Sequence, residues 1–388
     1  MKIPKNVVWL GVVSLFNDAA SEMIYPIVPL FLTVTLGVPM TVVGLIEGIA
    51  EATASLTKVF SGWFSDLVGQ RKPLTVAGYG FGTIAKLILA LSFSWPLVLL
   101  GRFVDRLGKG VRVAPRDALI ADSTAPEIRG AVFGFHRSLD TLGAVCGPLL
   151  AILFLAVFAA NYRLIFLISF APALLGVLIL QFFVAEVKPK AETEVKLKAT
   201  LAFDNFGPQY YLFLVVSLVF ALGNSSDVFL ILRSKDLGLS AVLVIFAYVI
   251  YNIFFALFSY PAGVLADRIG FKRVLIAGFL IFAAVYAGFG LAHSSLAVWF
   301  LFAIYGFYIA FTEGVSKAYI SNIAPKDKVA TAIGLYYTIT GAAVLFASLA
   351  GGWLWSAFGA PATFYYGSAT ALIASVLFVG LSLNGRKT

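Results

Sequence analysis

Long apolar runs separated by short polar breaks make up most of this chain. A helix needs about 20 apolar residues to cross a bilayer. Twelve runs meet that length, at about 7–36, 41–66, 73–94, 96–120, 130–158, 162–185, 209–233, 240–266, 272–292, 296–321, 329–356 and 361–383. Transmembrane barrel strands would be half as long and would alternate in polarity, which none of these runs does. The first run is too long for a cleaved signal peptide and has no small-residue cleavage site. The only sizeable polar stretch is about 186–208, which carries Glu186, Lys188, Lys190, Glu192, Glu194, Lys196, Lys198 and Asp204. The pattern therefore predicts an all-α membrane protein of twelve transmembrane helices. A six-helix bundle over 1–185 and another over 209–388 are joined by a cytoplasmic linker over 186–208.

Composition agrees and narrows the function. Apolar residues are 61% and charged residues 12% of the 388, against about 45–50% and about 25% in soluble proteins. A soluble enzyme is excluded, and the 36 Phe fit a lipid-facing surface. The single cysteine, Cys146, cannot form an internal disulfide. A net charge of +9 would suggest a nucleic-acid partner in a soluble domain. Here its placement decides otherwise. With both termini on the cytoplasmic side, sixteen Lys and Arg fall in inner segments, and only Arg163, Arg233 and Lys235 fall in outer loops. That asymmetry is an orientation signal. It predicts a multi-pass protein of a bacterial-type inner (plasma) membrane, with the lipid bilayer and not nucleic acid as its environment. A monomer is expected.

The halves are duplicates. Gly62-Trp63-Phe64-Ser65-Asp66-Leu67-Val68-Gly69-Gln70-Arg71-Lys72 recurs 201 residues later as Gly263-Val264-Leu265-Ala266-Asp267-Arg268-Ile269-Gly270-Phe271-Lys272-Arg273. Both copies lie between the second and third spans of their half. Parallel repeats of this kind place a site at the midplane between halves. The repeated loop resembles motif A of the major facilitator superfamily. Arg102 and Gly108 match that family's motif B, although Asp105 and Arg106 depart from it. Gly143-Ala144-Val145-Cys146-Gly147-Pro148 resembles motif C, the fifth-helix signature associated with antiporters that export. The resemblance covers essentially the whole chain and implies the major facilitator fold, alternating access and a drug:proton antiporter-like activity. It also implies that Asp66 and Asp267, with Arg71, Lys272 and Arg273, form cytoplasmic latches. Asp122, at the inner end of the fourth span, is the expected partner of Arg71.

Charges inside spans are costly and should face the interior and find partners. Most of them are in the first half. On the fourth span Arg102, Arg106, Lys109, Arg112 and Arg116 fall within an arc of about 120° over about 21 Å of axis, with Asp105 and Asp117 flanking them. Two readings stand side by side. The stripe is a cavity wall for anionic substrate groups, since guanidinium forks suit carboxylate and phosphate, or it is neutralised by acids on neighbouring helices. The first span offers Asn17, Asp18, Glu22 and Tyr25 before Pro26 and Pro29, which remove helix donors and should bend it. Asp18 and Glu22 beside such a bend suit a proton-coupled gate, and equally suit pairing with the stripe. On the second span Glu47 and Glu51 share a face with Lys58, and both acids are expected to look towards the fourth span. The fifth span adds His136, Arg137 and Asp140. An imidazole there could relay protons or simply be a satisfied hydrogen bonder. The second half offers Asn224 and Asp227, Tyr251 and Asn252, and the i, i+4 pair Glu313 and Lys317.

No phosphate-cradling Gly-rich loop appears, and two His with one Cys cannot make a zinc site. No catalytic constellation and no cofactor are expected. Energy must come from a gradient, for which protons are the candidate. The expected activity is secondary transport of a small molecule, anionic or amphipathic, by proton-coupled efflux. The alternatives are import or export of an organic anion through the basic stripe, and lipid translocation or sensing on the same fold.

Overall fold

The computed structural model describes residues 3–124, 129–158, 161–187, 206–325 and 329–384, and its regular elements are all helical. The first stretch contains α1 (Lys5–Ile24), the short α2 (Ile27–Leu30) and a π-helical turn (Phe31–Thr35). It continues with α3 (Met40–Val68), α4 (Lys72–Ala90) and α5 (Trp95–Asp122), followed by α6 (Arg129–Val157) and α7 (Tyr162–Phe183). After residue 206 come α8 (Pro208–Ala221), α9 (Val228–Asp236), α10 (Ala241–Ile269), α11 (Phe271–Leu291), α12 (Ser295–Ile323), α13 (Val329–Phe358) and α14 (Ala360–Asn384). Residues 188–205, most of the expected linker, lie outside the described residues.

Among the described residues, 10 helical stretches are long and apolar enough to cross a membrane. The other two of the twelve expected spans miss for identifiable reasons. α5 is 28 residues long but too highly charged. The expected seventh span is not one helix: α8 stops after 14 residues and α9 restarts at Val228. Between them Asn224, Ser225 and Ser226 carry short polar side chains that compete for backbone hydrogen bonds. Gly223 faces Thr370 and the Gly367 backbone of α14 so closely that a Cβ would collide. The expected bend in the first span falls at Tyr25–Pro26, where α1 gives way to α2, and Thr33 Oγ1 donates to the Pro29 carbonyl at 2.8 Å.

The chain divides into two compact units, Met1–Val38 with Ile49–Thr200, and Pro39–Gly48 with Leu201–Thr388. The first turns of α3 therefore belong to the second unit and the rest of α3 to the first. In the first unit α4 packs on α5 and α7, and α1 on α6 and α7. The second unit repeats this pairing: α11 packs on α12 and α14, and α8 on α13 and α14.

Lipid tails are as apolar as the side chains, so close backbone approach rather than hydrophobic exclusion holds such helices together. A Cβ on Gly78 of α4 would lie 2.7 Å from the Gly108 carbonyl, and one on Gly108 would lie 2.5 Å from the Gly78 carbonyl. Gly143 and Gly147 do the same between α6 and α1, where a Cβ would meet the Leu15 and Ala19 carbonyls at 2.5 and 2.6 Å. The first unit also holds a buried cluster that includes Val7, Leu10, Val13, Leu119, Ile120 and Leu180.

Candidate functional site

The glycine contacts bring α1, α4, α5 and α6 close enough for short side chains to meet, and their polar residues form a continuous seam inside the first unit. At one end Glu51 of α3 accepts an ion pair from Arg106 at 3.2 Å and lies within electrostatic reach of Lys109, Arg102 and Lys58. The guanidinium carbons of Arg102 and Arg106 sit 5.5 and 5.6 Å from the centre of the Tyr25 ring, a cation–π arrangement.

In the middle lies Lys86, fully buried on α4. Its Nζ donates to the Gly82 carbonyl at 3.1 Å and to Ser21 Oγ at 3.3 Å, and lies 3.6 Å from Asp105. Beside it Arg112 reaches Asp18 at 3.8 Å and stacks over the Tyr79 ring at 4.6 Å. Asn17 is fully buried here, and neither its amide nitrogen nor its oxygen has a hydrogen-bond partner.

At the far end Arg116 holds Asp117 at 2.9 Å and lies 3.8 Å from Asp140, which also pairs with Arg137 at 2.9 Å. Ser14 Oγ joins Tyr79 OH at 3.1 Å, His136 Nε2 at 2.9 Å and Arg116 at 3.3 Å. Asp18 and Asp140 lie within electrostatic reach of each other. Glu22 is partly buried where α1 passes Gly147.

Both readings of the basic stripe thus have structural content. Arg106, Arg112 and Arg116 have carboxylate partners, while Arg102 and Arg106 also flank Tyr25. Glu47, one turn before Glu51 on α3, is buried, and Ser226 Oγ donates to it at 3.4 Å. Sequence reasoning missed Ser14 and Tyr79. The glycines at 78 and 82 were the available signal, since they mark a helix face in close contact.

The expected latch residues are arranged as follows. Arg71 is buried, donates to Ser65 Oγ at 2.8 Å and lies 3.5 Å from Asp122. The Glu186 carboxylate accepts from the backbone N–H groups of Arg71 and Lys72 at 3.1 and 2.8 Å, an anion at a helix N-terminus that sequence reading assigned only to the linker. The side chain of Asp66 lies outside the described residues. In the second copy Gly270 adopts φ +97°, a left-handed conformation that favours glycine, and it turns α10 into α11. Asp267 and Arg273 are exposed on either side of it, with Lys272 partly buried.

In the second unit Tyr305 OH donates to Asp227 at 2.6 Å, at the restart of the broken helix. Tyr251 stacks near Tyr305 with ring centres 5.4 Å apart, and Asn252 donates back to the Tyr248 carbonyl at 3.0 Å. Asn224 donates to Tyr308 OH at 3.0 Å, at the edge of a cavity of about 200 Å³ lined by Phe220, Tyr308, Tyr336, Tyr337 and Glu313 among others. Glu313 and Lys317 form their i, i+4 pair at 3.8 Å, both about half exposed. A second groove, of about 340 Å³, is lined by the apolar residues Ile49, Pro96, Leu99, Leu100 and Phe103.

Comparison with known proteins places these features in a family. The sequence model of the Major Facilitator Superfamily matches residues 10–249 and 212–387. An uncharacterized MFS-type transporter of Methanocaldococcus jannaschii is 38% identical over 386 residues, covering 97% of this chain and 95% of that protein. The multidrug resistance protein MdtG of Escherichia fergusonii is 27% identical over 186 residues, covering 46% of this chain and 44% of MdtG. In structure, a mutant of the nucleoside transporter NupG superimposes with a TM-score of 0.82 at 14% identity, covering 97% of this chain and 99% of its own. A POT family transporter in complex with 5-aminolevulinic acid gives 0.82 at 15% identity, covering 98% and 96%. With a model match across nearly its whole length and a full-length relative at 38% identity, this multi-pass membrane protein belongs to the Major Facilitator Superfamily of transporters.

Proposed function

We propose that the protein is a proton-coupled secondary transporter of small organic molecules. It works by alternating access in the inner (plasma) membrane, with both termini cytoplasmic, and runs towards export. The observation that carries this reading is the buried seam of the first unit, where Asp18, Glu51, Asp105 and Asp140 face Lys86, Arg106, Arg112 and Arg116. Ionisable groups inside a membrane protein are expensive and mark ion or substrate pathways. Asp18, Glu22 and Glu51 supply carboxyl groups that can gain and lose a proton as the arginines around them move. Glu47 of the second unit is a further candidate. Export is supported by the Gly143–Pro148 segment, whose glycines seat α6 directly on α1 at the level of Asp18. Arg71 with Asp122, and Asp66 and Asp267 with their neighbours, would hold the cytoplasmic side closed.

A second reading, transport of an organic anion, is favoured by Arg102 and Lys109, which bring positive charge to the partly exposed Glu51 in addition to its Arg106 partner. The experiment is a solute screen in proteoliposomes under an imposed pH gradient. Movement of at least one organic solute that follows the gradient and collapses with a protonophore is expected. Transport indifferent to the gradient for every transported solute would overturn proton coupling. Inhibition by simple carboxylates or phosphate esters would favour the anion.

A further inference from the structure

The second unit holds a cavity whose chemistry differs from that of the charged seam. It lies among α8, α11, α12 and α13 and measures about 200 Å³. Its walls are aromatic, with Phe220, Tyr308, Tyr336 and Tyr337 lining it. Two of these rings are supported by others. Phe220 stacks on Phe279 with ring centres 4.3 Å apart, and Tyr336 stacks on Phe213 at 5.8 Å. Stacked rings present flat faces, which suit a flat ligand. Size narrows the choice. An apolar cavity of about 150 Å³ takes one benzene, so this one takes a single ring with a short chain.

The polar groups on the wall show what the ring should carry. Thr312 and Thr340 donate back to their own helices, to the Tyr308 and Tyr336 carbonyls at 2.8 and 2.7 Å. Ser217 of α8 does not. It is only 3% exposed, it lines the cavity, and its Oγ has no hydrogen-bond partner. A buried hydroxyl left unpaired is costly, and it can both donate to and accept from a hydroxyl on the ligand.

The half-exposed rim sets the charge. Glu313 lines the cavity, and the Lys317 ammonium lies 3.8 Å from its carboxylate and 5.7 Å from the centre of the Tyr337 ring. The protein's own amine therefore sits beside a carboxylate and an aromatic face, surroundings that select ammonium groups. Both side chains of this pair are about half exposed, and ion pairs so exposed are held weakly. An incoming amine can take the place of Lys317.

We propose that this cavity is a substrate pocket for arylalkylamines that carry a ring hydroxyl. The ring lies against Phe220 and Tyr336, the hydroxyl meets Ser217, and the ammonium meets Glu313 and Tyr337. This rests on the transporter reading above and gives its substrate a chemical class.

The test is calorimetric titration of the full-length protein in lipid nanodiscs with tyramine, phenethylamine and para-hydroxyphenylacetate. Tyramine should bind about tenfold more tightly than phenethylamine, the worth of one hydrogen bond to a buried hydroxyl. Para-hydroxyphenylacetate keeps the ring and its hydroxyl but carries the opposite charge, and it should not bind. Ser217→Ala should weaken tyramine about tenfold and leave phenethylamine unchanged. Glu313→Gln should weaken both amines about tenfold, since it removes a charge-assisted contact. The three ligands discriminate on the wild-type protein alone, so a variant that fails to fold does not shield the idea. Failure of both amines to bind the wild type, equal loss of both in Ser217→Ala, or acetate binding as tight as tyramine would overturn the pocket. The reading beneath it fails differently. In that case tyramine binds as expected, but no solute follows the pH gradient in proteoliposomes.

Discussion

Replacing Asp105 with Asn should destabilise the protein far more than replacing its partner Lys86 with Met. Both residues are buried, Lys86 completely, and their charged atoms lie 3.6 Å apart. Removing one member of a buried pair leaves an uncompensated charge and costs about 3–5 kcal/mol. The surroundings make the two removals unequal. Asp105 is also faced by Arg106, Arg102 and Arg112. Asp105→Asn therefore leaves Lys86 and three guanidinium groups around a neutral amide, and the full 3–5 kcal/mol range applies. Lys86→Met leaves Asp105 with those three cations and removes only the hydrogen bonds to Gly82 and Ser21, which is worth about 1–2 kcal/mol. At about 2 °C per kcal/mol for a chain of this size, the melting temperature should fall by about 6–10 °C for Asp105→Asn and about 2–4 °C for Lys86→Met. Combining the two should recover part of the Asp105→Asn loss, because the lysine charge goes with it. Intrinsic fluorescence of the 6 Trp during heating of detergent-purified protein reads all three variants. Equal losses, a reversed order or simple additivity would refute the asymmetric network.

Three further outcomes follow from the same packing. Asn17→Leu should raise the melting temperature, because it replaces a fully buried amide with no hydrogen-bond partner by an apolar group of similar shape, a gain of about 1–3 kcal/mol; a lower melting temperature would mean the amide is satisfied in the membrane. Gly143→Val should lower the yield of monodisperse protein on size exclusion, since even its Cβ would lie 2.5 Å from the Leu15 carbonyl, and wild-type yield would contradict the α1–α6 contact. Arg71→Ala should cost about 1–3 kcal/mol, because the buried guanidinium takes its contacts to Ser65 and Asp122 with it. It should also lengthen spin-label distances across the cytoplasmic face, and unchanged distances would retire the latch.

Helices were legible in the sequence because each is a run of apolar residues long enough to dominate its window, and the duplication was legible because the motif A loop repeats its Gly, Asp, Gly and closing basic pair at the same spacing. What the runs concealed was how charge and glycine divide the work within them. α5 fails a hydropathy criterion yet is the helix around which the first unit's polar seam is built, so the feature that weakens it as a span is the one that makes it chemically interesting. The seventh span was read through Gly223, Asn224, Ser225 and Ser226 because the apolar residues on both sides outweighed them, although those four residues are where the helix stops. Helical periodicity reports which face a residue occupies and is silent about what lies opposite at that height. Periodicity put Glu47 and Glu51 on one face but named neither Ser226 nor Arg106 as what they meet. Glycine spacing carries the missing information. Gly143 and Gly147 fix where α6 touches α1, and any polar residue one turn from such a contact is held against the opposite helix. Asp140 is that residue. Its place beside Arg116 and against α1 follows from two glycines and a helical turn once they are taken as marks of contact between helices as well as a family signature.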